Sequence, residues 1–507
     1  MWKIGRRCSL SVCCLLLMLP LTMTAQLPTV LRGDCMPTAS GDVTRAGVRH
    51  KLQKPNTDWD PQQVYRQMVI LVAYSDRDFS MENPQEYYQQ LFNEQGYAVS
   101  GSQGCIADYF RDQSGGLFNL AFDIYGPVKV SATAKSTSSG SNYAADAMRE
   151  ATQKLADSLL IDYSQYDWQG DKKVPQVIFI LAGLSGNMTG NDGYMWPNTS
   201  SFGTITTADG YRLSNYSASA ELFVEGRYCG LGTICHEFSH SLGLPDLYPT
   251  SSTAGYSVVD EWDLMDGGNF IRNGWCPPNY TAHEKMQMGW LTPVELDEPT
   301  TITGMKPVSE GGDAYLVRHN DREYYLLENR QWKGWDSYLP GKGLVVYHVD
   351  YDESAWRGNY VNNTKTHRRF QLVNADNLDY AAWDSIIGSS NPKKSGHSRY
   401  LSTSAYPWTT DSTDFVNNQL TDDSTPAALM FGANSAGSQY LSKPITNIGV
   451  SDEGHVFFGY RLATAVGPAI SNRREQSAGD GYYNLQGQRV EQPGRGLYIR
   501  NGKIIRF

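Results

Sequence analysis

The sequence predicts a mixed α/β (α+β) domain, then a β-rich, sandwich-like domain, then a small C-terminal β tail. Three observations predict it. Two continuous apolar runs, Met68-Val-Ile-Leu-Val-Ala-Tyr74 and Val177-Ile-Phe-Ile-Leu-Ala182, have the texture of buried central strands and alternate with segments of helical period. Beyond Pro293 the texture changes to short strands separated by Gly, Asn and Asp turns. Past residue 480, two or three short strands surround turns. The expected layout is a signal peptide at 1–25, a pro-segment or leader at 26–62 and an α/β domain at 63–295. A β-rich domain at 296–462, a polar linker at 463–479 and a β tail at 480–507 follow.

Taken in order, Lys3, Arg6 and Arg7 precede an apolar stretch from Leu10 to Leu21, and Thr24-Ala25 suits cleavage. The stretch is too short to span a bilayer, which takes about 20 residues, and no other run is long enough. The mature chain is therefore expected outside its cell, secreted or at a bacterial surface, with no stable membrane insertion. The leader is rich in Pro, Thr and Gly without a period; its Arg32-Gly-Asp34 is an adhesion tripeptide by letter, a match common by chance. Of eight cysteines, Cys8, Cys13 and Cys14 lie in the signal. Cys35, Cys105, Cys229, Cys235 and Cys276 remain, too few for a disulfide scaffold. Cys229 and Cys276 are the pair that could join, and Cys235 reads as a small buried hydrophobe.

Residues 84–93 and 105–113 read as helices, the second ended by Gly115-Gly116. Residues 117–124 alternate as a half-buried strand, and 143–160 carry Ala, Met and Leu at helical spacing. A Gly- and Asn-rich stretch at 183–203 is expected to include an edge strand that could pair with an extended substrate. In the β-rich part, 316–318, 323–329, 344–349, 370–373 and 456–460 read as strands, with His319, His348 and His455 structural. Asp350 with Asp352 and Glu353, Asp376 with Asp379, and Asp411 with Asp414 could hold calcium; solvated turns account for them more simply.

Chemistry concentrates at Gly230-Leu-Gly-Thr-Ile-Cys-His236-Glu-Phe-Ser-His240-Ser-Leu-Gly243-Leu-Pro-Asp246. Residues four apart share a helix face, so His236 and His240 can offer two imidazole nitrogens to one metal. Glu237 lies about 100° round the helix from His236, where it can act as general base towards a water beside the metal. Zinc is expected, because it takes imidazole and its catalytic sites use three protein ligands plus an open position. Gly243 can end the helix at positive φ, Pro245 cannot continue it, and Asp246 can then turn back as a third, oxygen ligand. Glu284 is the rival third ligand, its plainer reading being a solvated helix charge. Met265, in Trp262-Asp-Leu-Met-Asp-Gly-Gly268, fits a Met-turn that packs beneath the metal without ligating it. Gly183-Leu-Ser-Gly-Asn187 falls short of a nucleophile elbow, because Asn187 stands where G-x-S-x-G needs glycine.

The chain resembles the immune inhibitor A family of secreted bacterial zinc metallopeptidases, which have a zincin, metzincin-like fold. The resemblance rests on His236-Glu-Phe-Ser-His-Ser-Leu-Gly-Leu-Pro-Asp-Leu-Tyr248, Trp262-Asp-Leu-Met-Asp-Gly267 and Glu284-Lys-Met-Gln-Met-Gly-Trp290. It extends to Ala107-Asp-Tyr-Phe-Arg-Asp-Gln-Ser-Gly-Gly-Leu-Phe118, Tyr325-Leu-Leu-Glu-Asn-Arg330 and Gly343-Leu-Val-Val-Tyr-His-Val-Asp350, covering roughly residues 65–460. Trp196-Pro-Asn198 departs from it, since many relatives have Trp-x-His there. The tail is similar in composition to the sorting-type tails of secreted Bacteroidetes proteins.

The family resemblance implies a zinc endopeptidase acting on proteins or peptides. A formal charge of −10 argues against nucleic acid or an anionic membrane as partner, since both call for basic patches. Two other readings stay open: a surface-binding protein with a vestigial zincin fold, and a zinc hydrolase of a non-protein amide. An exported peptidase with a preformed zinc site would endanger its own cell, so a group blocking the open position is expected. The leader offers Asp34 and Cys35 as candidate latency ligands, a carboxylate and a thiol side by side.

Overall fold

The computed structural model describes residues 52–136, 143–157, 160–251, 257–379, 401–409 and 416–462, with short pieces of the tail. The signal peptide, nearly all of the leader with Asp34 and Cys35, the linker, and Asp411 with Asp414 lie outside the described residues.

The chain begins with β1 (Val64–Ala73), α1 (Pro84–Asn93), α2 (Ile106–Gln113), β2 (Asn119–Lys129), α3 (Tyr143–Ala156) and β3 (Val177–Leu184). A single turn, α4 (Gly186–Thr189), leads to β4 (Asn198–Thr206), β5 (Arg212–Val224), the short β6 (Arg227–Tyr228) and α5 (Gly232–Leu242). The sheet runs β2-β1-β3-β5-β4, parallel until β4, which closes the edge antiparallel to β5. Both faces are covered, as the unbroken apolar runs of β1 and β3 require. Side chains alternate between faces along a strand. Val69 and Leu71 therefore join Ile178 and Ile180 under α1, α2 and α5, while Met68, Ile70 and Val72 join Val177, Phe179 and Leu181 against Ala147, Met148 and Ala151 of α3.

Downstream come α6 (Ala282–Gln287), β7 (Val294–Glu295), β8 (Thr300–Met305), β9 (Tyr315–Arg318), β10 (Glu323–Arg330), β11 (Gly343–Asp350), α7 (Glu353–Arg357) and β12 (Phe370–Leu372). A hairpin follows of β13 (Trp408–Thr409) and β14 (Val416–Asn417), then β15 (Ile445–Val450) and β16 (Val456–Tyr460). One sheet runs β12-β11-β10-β9-β7 and another β15-β16-β8. Every residue of β10 and β11 is buried. Tyr324, Leu326, Val345, Tyr347 and Val349 face the cluster that also contains Phe238 of α5. Tyr325, Leu327, Leu344 and Val346 pack with Ile445, Ile448, Val456 and Phe458 in a second core. The five-stranded sheet is thus a middle layer. In the tail, β17 (Tyr482–Tyr483), β18 (Arg489–Val490), β19 (Leu497–Arg500) and β20 (Lys503–Arg506) pair as β18-β17-β19-β20.

Two expectations are corrected. The helix expected at 143–160 ends at Ala156. Cys229 and Cys276 do not pair: both thiols are free, Cys229 packing with Phe223 and Phe270 while the Cys276 thiol faces the Trp335 carbonyl oxygen at 3.5 Å. The Asp350 carboxylate is bonded to Arg322, His367 and Arg369. Among the described residues no helix is long and apolar enough to cross a membrane.

Candidate metal centre

Helix α5 starts where the chain can pack closest. A Cβ on Gly232 would lie 2.1 Å from the Asn269 carbonyl oxygen, so only glycine lets the first turn sit on that loop. The helix ends at Gly243, at φ +108, whose N–H reaches back to the His240 carbonyl. Between them, Ile234 and Phe238 join the main core, and His236, Glu237 and His240 are all buried.

The two histidines are oriented through backbone carbonyls. His236 Nδ1 lies 2.9 Å from the Leu264 oxygen and His240 Nδ1 2.8 Å from the Leu244 oxygen. A carbonyl only accepts, so each Nδ1 is the donor and each Nε2 is the nitrogen turned towards Asp246. Leu264 belongs to the segment of Met265, which is fully buried and whose own carbonyl accepts the Leu247 N–H at 2.8 Å. Asp246 follows the turn, and its Oδ1 stands 3.2 Å from both Nε2 atoms.

The three ligand atoms lie within 4.8 Å of one another, and no other such group of three occurs among the described residues. Two observations test their fit to a metal. His236 Nε2 and Asp246 Oδ1 are buried without a hydrogen-bond partner, a costly state unless something else satisfies them. Ligand atoms sharing a tetrahedral zinc at about 2.0–2.1 Å would sit about 3.3 Å apart, close to the 3.2 Å spacings of Asp246. The donor set fits zinc. Burial pushes the Asp246 carboxyl up, but His240 and His236 outweigh it and hold the group far below the ordinary carboxylate range.

Glu237 stands apart from that trio. Burial raises its carboxyl, and the two histidines and Thr199 pull it back without cancelling the effect. The Thr199 hydroxyl, on edge strand β4, lies 3.0 Å from Glu237 Oε2 and 2.7 Å from the Glu237 carbonyl. Glu284 is neither a rival ligand nor a solvated charge. It is buried in the capping box of α6, accepting the Thr281 N–H at 2.7 Å. Asn198 is bound internally to the Trp196 carbonyl and the Tyr216 hydroxyl. His319 and His348 serve the fold, bonded to the Gly432 carbonyl and to Glu323. Thr199, the Leu244 and Leu264 carbonyls, and Asn359, which bonds Asp246, escaped the sequence reading.

Residues 185–290, which hold this centre, match the family model described as immune inhibitor A peptidase M6, catalytic domain. This match and the curated relatives that follow support the immune inhibitor A peptidase family. Curated proteins similar to this chain include Immune inhibitor A of Bacillus thuringiensis subsp. alesti, 23% identical over 371 residues, covering 64% of this chain and 50% of that protein. The pre-pro-metalloprotease PrtV of Vibrio cholerae serotype O1 is 23% identical over 247 residues, covering 43% of this chain and 26% of PrtV. The chain therefore spans half or less of the length of these curated relatives.

Proposed function

We propose that the protein is an exported zinc endopeptidase with a zincin-like site, in which His236, His240 and Asp246 hold the metal and Glu237 is the general base. The observation that carries this is the convergence of two imidazole nitrogens and one carboxylate oxygen, buried beside a further buried carboxylate. The relatives' names, a metalloprotease and an immune inhibitor, support the peptidase reading. Zinc, when bound, supplies Lewis acidity, bringing a water's pKa towards neutrality and polarising the scissile carbonyl. Glu237 takes the proton on its carboxylate and returns it to the departing amine, and its raised proton affinity suits both halves of that task. Strand β4 lies at the sheet edge, so its outer backbone groups can pair with an extended peptide whatever its side chains. Met265 keeps its proposed place beneath the metal, as a shaping residue and not a ligand.

The test is metal content and proteolysis on the same variants. The native chain should carry about one zinc, digest casein, stop with phenanthroline and recover on zinc addition. Glu237→Ala should keep the metal and lose activity by several orders of magnitude. His240→Ala and Asp246→Ala should lose zinc affinity, whereas Glu284→Ala should not. Normal turnover by Glu237→Ala would overturn the mechanism, and full activity without zinc would overturn the metal.

A further inference from the structure

An aspartate on a loop beyond a helix can rotate about two side-chain bonds. A third ligand of that kind needs something to aim its carboxylate. In this fold the aiming group comes from 113 residues downstream. Asn359 lies just past α7, at φ +56, a left-handed position that asparagine tolerates better than most residues. It touches Asp246 twice. Its Nδ2–H donates to Asp246 Oδ2 at 2.7 Å, and its Oδ1 accepts the Asp246 backbone N–H at 2.7 Å.

The two bonds act on different freedoms. The backbone bond fixes where Asp246 sits, and the side-chain bond fixes which way its carboxylate turns. With Oδ2 occupied by the amide, Oδ1 is the oxygen left facing His236 and His240. The neighbours of Asn359 repeat the pattern along the same loop. Asn362 Nδ2 donates to the Leu247 carbonyl at 2.7 Å, and Asn363 Oδ1 accepts the N–H groups of Thr250 and Ser251 at 2.8 and 3.1 Å. The Thr250 hydroxyl donates to the Asn359 carbonyl at 2.8 Å. The whole ligand loop, residues 246–251, is therefore stitched to the segment 359–363.

We propose that Asn359 is a positioning residue for the metal, presenting Oδ1 of Asp246 to the two imidazoles, so that the metal centre is completed by a segment downstream of β11. The proposal rests on the reading of His236, His240 and Asp246 as metal ligands. Its chemistry follows that of other metal sites, where groups hydrogen-bonded to a ligand set the ligand's orientation and basicity.

Two variants test it in the full chain, with zinc affinity measured by competition with a chromophoric chelator. Asn359→Gly removes the amide and suits the left-handed backbone better than alanine would. Asn359→Asp keeps the acceptor for the Asp246 N–H but sets a carboxylate oxygen against Oδ2. Each should weaken zinc binding about 10- to 100-fold, while the metal-free proteins keep the native far-UV circular dichroism and melt within a few degrees of the native chain. Zinc affinity within twofold of native in both variants would overturn the proposal. So would an affinity loss that appears only where the metal-free variants have lost their folded signal, since the contact would then serve the fold alone. The native chain and His240→Ala separate this from the underlying reading. If zinc affinity does not depend on His240, the metal site itself is misassigned. If it does, and the Asn359 variants bind as the native chain does, only the positioning role falls.

Discussion

Thr199 reaches Glu237 from an edge strand, and its single hydroxyl proton is contested by the Glu237 carbonyl and by Oε2. A hydrogen bond to a charged group is worth about 1.5–3 kcal/mol, and about 1.4 kcal/mol corresponds to a factor of ten in rate. Thr199→Val keeps the volume and removes the donor. It should lower kcat about 10- to 100-fold with KM and zinc content near native, and Thr199→Ser should restore most of the loss. Equal loss in the serine and valine variants would argue for lost packing instead. This residue also marks where sequence reading stops. The two histidines and Glu237 are legible because helical period alone puts them together, and Asp246 because Gly243 and Pro245 announce the turn before it. Thr199 and Asn359 stand 38 and 113 residues from their partners, and nothing local in either stretch points there. Glu284 misled for the opposite reason. A charge on a short helix looks solvated, but it caps α6 from inside the core.

Among the elements, legibility follows how much each strand or helix depends on its own sequence. Helix α1 lies at residues 84–93 as read, with proline in its first turn, where the missing N–H costs nothing. The strands β1, β3 and β11 show as apolar runs because both their faces are buried. Strand β5 was not read. Its sequence, Arg-Leu-Ser-Asn-Tyr-Ser-Ala-Ser-Ala-Glu-Leu-Phe-Val, is rich in Ser and Ala, poor in β-branched residues, and takes its strand character from its neighbours β3 and β4. Strand β10 also carries a pH-sensitive contact. Burial alone would raise the Glu323 carboxyl. His348 at 2.7 Å and the N–H groups of Phe431 and Gly432 outweigh it and bring the group down to about 2. A carboxyl lowered in the folded state adds stability that is complete above its unfolded pKa, near 4.5, and fades as pH falls towards about 2. Glu323→Gln should therefore melt below the native chain at pH 6, and the gap should narrow on going from pH 4.5 to pH 3. A gap that stays constant across that range would show that Glu323 holds the strand through its shape and not its charge.

At the scale of the molecule, the change of texture beyond Pro293 marks a change of sheet, yet the packing runs straight across it. One hydrophobic cluster extends from Tyr65 through Phe238 to Tyr347, Phe370 and Ala405. Buried Arg330 on β10 pairs with Glu328 and Asp336 at 2.9 and 2.7 Å and gives N–H bonds to the carbonyls of Asn279 and Trp262. Removing one side of such a buried charge network costs about 3–5 kcal/mol, a large part of a typical net stability of about 5–15 kcal/mol. A fragment of residues 52–295 keeps His236, Glu237, His240 and Asp246. It loses the sheet that covers α5, the Arg330 network and the asparagine segment that holds residues 246–251. Such a fragment should show weak near-UV circular dichroism, no cooperative melting transition and no tight zinc binding, whereas residues 52–462 should behave as the full chain does. A 52–295 fragment that melts cooperatively and binds zinc as the full chain does would show instead that the α/β part folds and completes its metal centre alone, with the five-stranded sheet only resting against it.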